Sequence, residues 1–131
     1  YEYTYDAAKG LMLYQNFCSK CHGKNGMGTT YYPPLKNSNL VINYPQVTTK
    51  IIVKGLKGAI NRNGRSYNAQ MPGYKALGSI DLSHIYNYIL KSINDKDLEV
   101  HPIEFNKAKI DTLTLEGAIE ASELENLKAK K

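Results

Sequence analysis

Hydrophobic residues recur at helical spacing in two stretches of the chain. From Asp6 to Phe17 the positions Ala7, Gly10, Leu11, Tyr14 and Phe17 follow one face, with Asp6 placed as an N-cap. From Ser79 to Ile93 the stripe is longer, running through Leu82, Ile85, Tyr86, Ile89, Leu90 and Ile93. Ser79 is the expected N-cap there, and Asp81 suits the positive end of the helix. His84 falls on the polar side of that stripe and reads as a surface histidine. Between these helices, residues 23–40 are rich in Gly, Pro and Asn and read as loop. Pro45 suits the first turn of a short helix ending at Gly55, with Val47, Ile51 and Ile52 inward. The β-branched run Val47 to Val53 supports a strand equally well, so both assignments stay open. Asn63-Gly64 marks a turn. Past Asn94 the pattern weakens. His101-Pro102 interrupts any helix, and a final helix is expected from Thr114 to Lys130, although Leu115, Ile119, Leu124 and Leu127 share no narrow face.

Composition adds a division to this picture. The 131 residues, 42% hydrophobic, suit one domain with some extra length, and no apolar run is long enough for a membrane span. Residues 1–94 hold 11 Lys and Arg against 3 Asp and Glu, whereas residues 95–131 hold 6 against 9. A boundary between a basic core and an acidic C-terminal extension is therefore expected at 94/95. Opposite charge, together with Ile103, Phe105, Ile110, Leu113 and Leu115 in need of burial, predicts that the extension packs on the core. A basic surface suits acidic partners, or serves simply as a solubility margin. The chain begins at Tyr1 and not at Met, as expected of a processed or an engineered form, from which a signal peptide or lipid anchor is removable without trace.

The candidate chemistry lies in Cys18-Ser19-Lys20-Cys21-His22. Cys-x-x-Cys-His is the pattern of c-type haem attachment: two thiols add to the vinyl groups on one porphyrin edge, and the next residue ligates iron. A thioredoxin-like pair would want a βαβ setting, but an amphipathic helix precedes Cys18. A zinc site would need further ligands, and His84 and His101 are the only other histidines. For the sixth ligand, Met12 lies inside the first helix and Met27 lies close behind His22. Met71, in the polar loop before the last core helix and followed by Pro72, is the better candidate. A bis-His haem is the weaker option.

Residues 6–94 resemble class I cytochrome c, in particular its small bacterial mono-haem domains. The shared pieces come in the family's order: Gly10 and Tyr14 before Cys18, Cys-x-x-Cys-His-Gly, Tyr32-Pro33-Pro34-Leu35, Ile52-Val53-Lys54-Gly55, Asn63-Gly64-Arg65-Ser66-Tyr67-Asn68, Met71-Pro72 and the helix with Ile85-Tyr86-Asn87-Tyr88-Ile89. The resemblance implies an all-α fold of several helices wrapped around one haem c, held through Cys18 and Cys21 and ligated by His22 and Met71. It implies a crossing of first and last core helices at Gly10 against an aromatic residue, expected to be Tyr86. A carbonyl of Pro33-Pro34 would accept a hydrogen bond from His22, Leu35 would pack on the haem, and Arg62, Arg65 or Tyr67 would hold propionates.

The function implied is one-electron transfer between redox proteins in a bacterial respiratory or dehydrogenase chain, in the periplasm or elsewhere outside the cytoplasm. No role with nucleic acid is expected. With both axial positions filled, the protein reads as a carrier and not an enzyme. The alternatives are a peroxidase-like haem enzyme or gas sensor with a displaceable sixth ligand, and an electron-entry subunit of a larger redox complex.

Overall fold

Asp6 opens the first helix, α1 (Ala7–Phe17), by accepting the Lys9 amide at 3.2 Å on its side chain. The computed structural model describes residues 2–130. After α1 come α2 (Ser19–His22), α3 (Asn39–Asn43), α4 (Pro45–Lys54) and α5 (Ser79–Tyr88). Residues 23–38 are loop as expected, and α3, capped by the Ser38 hydroxyl on the Val41 amide, takes up only the last two residues of the expected stretch. Segment 45–54 is a helix and not a strand. Pro45 occupies its first turn, and burial of Val47, Ile51, Ile52 and Val53 outweighs their β preference.

Short strands supplement the helices. The strands β2 (Ile60–Arg62) and β3 (Arg65–Tyr67) form a hairpin around Asn63 and Gly64, both at positive φ, as a tight hairpin turn needs. The strand β1 (Leu56–Lys57) runs parallel to β4 (Ile119–Glu120). The fold is mainly helical, but not purely so.

The helix α5 begins at Ser79, one position earlier in capping terms than the sequence suggests. Gly78 is the N-cap, and the Ser79 hydroxyl instead donates to Asn106 Oδ1 at 2.6 Å. Past Tyr88 the helix widens over Ile89–Ile93, where the Asn94 amide reaches the Ile89 carbonyl. Helices α1 and α5 cross at Gly10, but the aromatic there is Tyr88, not Tyr86. A Cβ on Gly10 would come within 2.8 Å of the His84 carbonyl and 3.0 Å of Tyr88 Cβ. Tyr86 faces the other way, donating to the Val41 carbonyl at 2.6 Å and meeting Phe105 edge-on.

His84 is not a surface residue. The N-terminal segment covers it, and its Nδ1 accepts the Asp6 amide at 3.2 Å and the Tyr3 hydroxyl at 3.3 Å. Helical geometry placed it off the apolar stripe correctly, but that side of α5 is covered by chain the stripe does not reveal.

The C-terminal segment departs most from the pattern. His101-Pro102 starts a helix instead of interrupting one: His101 caps α6 (Pro102–Asp111), and Pro102 sits in the first turn, where its missing N–H costs nothing. The helix expected over 114–130 is reduced to α7 (Leu124–Ala129), preceded by a turn, β4 and a tight turn at Ala121–Glu123. Of the five apolar residues expected to need burial, only Phe105 is buried. Ile103, Ile110, Leu113 and Leu115 are exposed. Val100, Phe105 and Ala108 join the main core with Tyr14, Leu82 and Tyr86, while Ile119 joins a second cluster with Val47 and Ile51.

Candidate functional site

The C-terminal end of α1 delivers the chain into α2, which carries Cys18 as its cap and then Cys21 and His22. The loop that follows folds back over His22, and Gly28 makes this possible. Its φ is +75°, and a Cβ there would lie 2.6 Å from the Tyr32 carbonyl and 2.7 Å from Pro34 N. The Gly28 amide closes on the His22 carbonyl at 2.7 Å, and the Tyr14 hydroxyl pins the Gly23 carbonyl at 2.6 Å. Pro33 is thereby set beside the imidazole, and His22 Nδ1 donates to its carbonyl at 2.9 Å. The acceptor is Pro33, not Pro34. The Pro34 carbonyl instead accepts from Arg62 Nη1 at 3.2 Å.

These residues line one deep cleft. Cys18, Cys21, His22, Pro34, Leu35, Arg62, Tyr67 and Met71 all border it, along with apolar side chains from α4 and α5. Its empty space is about 1190 Å³, counting the part open to solvent. Its walls come from both cores: Cys18 and Leu35 pack on the main cluster, and Met71 on the second. Arg65 does not border the cleft. It lies at the rim with its guanidinium 5.9 Å from the Tyr67 ring. Arg62 also donates to the Ser38 hydroxyl at 3.2 Å, so its head is fixed toward the α3 end of the cleft.

Burial sets the electrostatics. It pushes the Cys18 thiol up to about 12, with the neighbouring Cys21 adding to the effect. It lowers the His22 pKa, against the opposing pull of the Pro33 carbonyl. His22 is therefore a neutral imidazole whose Nδ1 proton is committed to Pro33, which leaves Nε2 as the lone-pair nitrogen. Neither cysteine is paired in a disulfide. Two cysteine sulfurs, an oriented neutral imidazole and a thioether on the walls of an apolar cleft match the donor set of a covalently bound haem. A zinc site does not match: no cluster of three or more His, Cys, Asp or Glu occurs among the described residues, and His84 is engaged elsewhere.

Three further residues complete the frame. Phe17 and Tyr74 line the mouth, where the Tyr74 hydroxyl donates to the Phe17 carbonyl at 2.7 Å and the rings meet edge-on. Asn94, buried, donates to the Leu35 carbonyl at 3.2 Å and accepts the Asn37 amide at 2.6 Å, tying the end of the last core helix to the loop over His22. Tyr74 directly follows Met-Pro-Gly, a faint signal. Asn94 carries no local signal, because its partners lie 57 and 59 residues away.

Two comparisons with known proteins complete the description. The sequence model of the Cytochrome c family matches residues 7–92, more than half of the chain. No curated protein matches it.

Proposed function

Since the chain belongs to the cytochrome c family, with covalently bound haem c and a haem-based role as electron carrier, we propose that it passes single electrons between redox proteins with His22 and Met71 as the axial ligands. The observation that supports this reading is the meeting of Cys18, Cys21, His22 and Met71 on one apolar cleft. When bound, the haem supplies an iron that gains or loses one electron.

The protein's own residues do the rest. Cys18 and Cys21 supply the thiols for the two thioether bonds. The Pro33 carbonyl holds the Nδ1 proton of His22, fixing the ring and raising the basicity of Nε2. Leu35, Ile52, Ile85 and Ile89 keep water from the cleft, which limits reorganisation when charge changes. Arg62 and Tyr67 offer donors for propionates from within the cleft. Residues 1–94 act as the haem domain, and 95–131 as an appended segment.

Family domains of this kind are typically extracytoplasmic, and no helix among the described residues is long and apolar enough to cross a membrane. We place the protein in a bacterial respiratory or dehydrogenase chain, with partners whose docking faces are acidic, because residues 1–94 are strongly basic.

Met71→Ala tests the ligand assignment. The haem should stay covalently attached, the reduction potential should fall, the weak sulfur-to-iron band of the ferric protein should be absent, and the opened position should bind imidazole. Unchanged spectra and potential would remove Met71 from the iron. A wild-type ferric protein that is high-spin and binds cyanide at once would favour the haem-enzyme alternative.

A further inference from the structure

Met71 is fixed in place by its backbone. Its N–H donates to the Leu56 carbonyl at 2.8 Å, and its carbonyl accepts from the Leu56 amide at 3.1 Å. Leu56 spends both of its backbone groups on Met71. The backbone of Gly55, just before β1, faces the other way, and there the Ile119 amide donates to the Gly55 carbonyl at 3.0 Å. With Leu56 in register with Ile119 on one side and Met71 on the other, three segments lie side by side. Residues directly opposed across such pairings project to the same face. Accordingly, Leu56, Met71 and Ile119 belong to one apolar cluster with Val47 and Ile51.

Leu56 and Met71 border the cleft, but Ile119 does not. It is buried behind them, with Leu124 and Leu127 of α7 packed on the same cluster. Two lysines tie the C-terminal segment to the rest nearby, one to the loop after Met71 and one from the end of α4. Lys109 of α6 donates to the Leu77 carbonyl at 2.7 Å, and Lys54 to the Leu115 carbonyl at 2.7 Å. All the C-terminal partners lie beyond residue 92, outside the part of the chain that matches the family.

From these contacts we infer that the C-terminal segment, through Ile119, is the positioning element that holds Met71 in place and so sets how readily the sixth iron position opens. This rests on the reading of Met71 as a ligand. A methionine side chain has three rotatable bonds and adapts to many gaps, so the wall behind it decides how narrowly it is aimed. Without that wall, the share of molecules with Met71 turned away rises. An exogenous ligand then binds more tightly in proportion to the open share.

The test uses the full-length ferric holoprotein with imidazole as probe, comparing wild type, Ile119→Ala, Ile119→Val, Leu113→Ala and Met71→Ala. Ile119→Ala should keep its covalent haem and helix content, yet bind imidazole about tenfold more tightly. Hydrogen exchange at the Met71 amide should speed up in the same variant. Ile119→Val should restore both readings, and Leu113→Ala, at a side chain 79% exposed, should leave both at wild-type values. If Ile119→Ala does not fold, Leu124→Ala removes part of the same wall from its half-buried edge and should shift both readings the same way. Wild-type affinity and exchange in the folded Ile119 or Leu124 variant would overturn the inference. If Met71→Ala tightens imidazole binding while those variants do not, only the inference fails. If Met71→Ala also leaves imidazole binding unchanged, the ligand assignment fails and the inference falls with it.

Discussion

His84 shows how one covered side chain can make stability depend on pH. Its Nδ1 accepts two hydrogen bonds, from the Asp6 amide and from the Tyr3 hydroxyl, so the ring is needed in its neutral form. The same Tyr3 hydroxyl accepts from Asn87, which in turn exchanges two hydrogen bonds with the backbone of Val100. The N-terminal segment, α5 and the start of the C-terminal segment thus meet at one polar knot. Burial lowers the His84 pKa first, and the nearby Lys9 adds to this; Asp6 and Asp81 oppose it. A depressed folded pKa means that the unfolded chain takes up the proton first as pH falls. The stabilisation is therefore complete above the ordinary histidine range near about 6.5 and is lost as pH drops through the folded value. Denaturant midpoints of the holoprotein, measured from neutral pH down to about 5, should fall more steeply in wild type than in His84→Gln, whose amide oxygen can still accept the Asp6 amide. Equal slopes would show that His84 does not control this window. Nothing local in the sequence marks the histidine for such a role, because its partners arrive from residues 3–6, about 80 positions earlier.

At the scale of elements, α6 belongs to the core. Phe105 has no exposure and meets the Tyr86 ring edge-on, so one aromatic contact joins α6 to α5. Phe105→Ala should cost about 3–5 kcal/mol of unfolding free energy, the range for truncating a buried aromatic. Ile103→Ala, half-exposed on the same helix, should cost under about 1 kcal/mol. Chemical denaturation of the two holoproteins checks both, and equal losses would mean that α6 does not share the core. The sequence hides this helix because His101-Pro102 carries the mark of a helix breaker. A proline halts a helix only from its interior and is at home in the first turn. By contrast the spans of α1 and α5 are legible, since apolar residues at helical spacing are written within a dozen residues, although in α1 the buried face is Gly10, Leu13 and Tyr14 while Ala7, Leu11 and Phe17 of the expected stripe are exposed. The attachment motif was legible for the same reason, being contiguous. Which aromatic meets Gly10 was not, because Tyr86 and Tyr88 lie on the same helix and only the crossing geometry separates them.

For the whole molecule the question is what keeps residues 95–131 against the rest. Their acidic balance against the basic residues 1–94 suggests charge, but among the described residues the ion pairs across that division are few and at least partly exposed: Lys57 with Glu120, and Lys91 with Asp97 and Glu99, at 3.3–3.9 Å. Exposed pairs of this kind contribute about 0–1 kcal/mol each and are screened by salt. Against them stand the burial of Val100, Phe105, Ala108 and Ile119 and the hydrogen bonds from Asn87 to Val100 and from Ile119 to Gly55. Each fully buried large apolar side chain is worth about 1.5–3 kcal/mol, and salt does not screen it. Burial therefore dominates. Raising sodium chloride from about 0.1 M to about 1 M shortens the screening length from about 10 Å to about 3 Å. Hydrogen exchange at the Val100 and Ile119 amides should be nearly unchanged across that range, with less than about 1 kcal/mol lost in global stability. Exchange that accelerates many-fold with salt at those two amides, while the Tyr14 amide of α1 stays protected, would instead assign the attachment to charge.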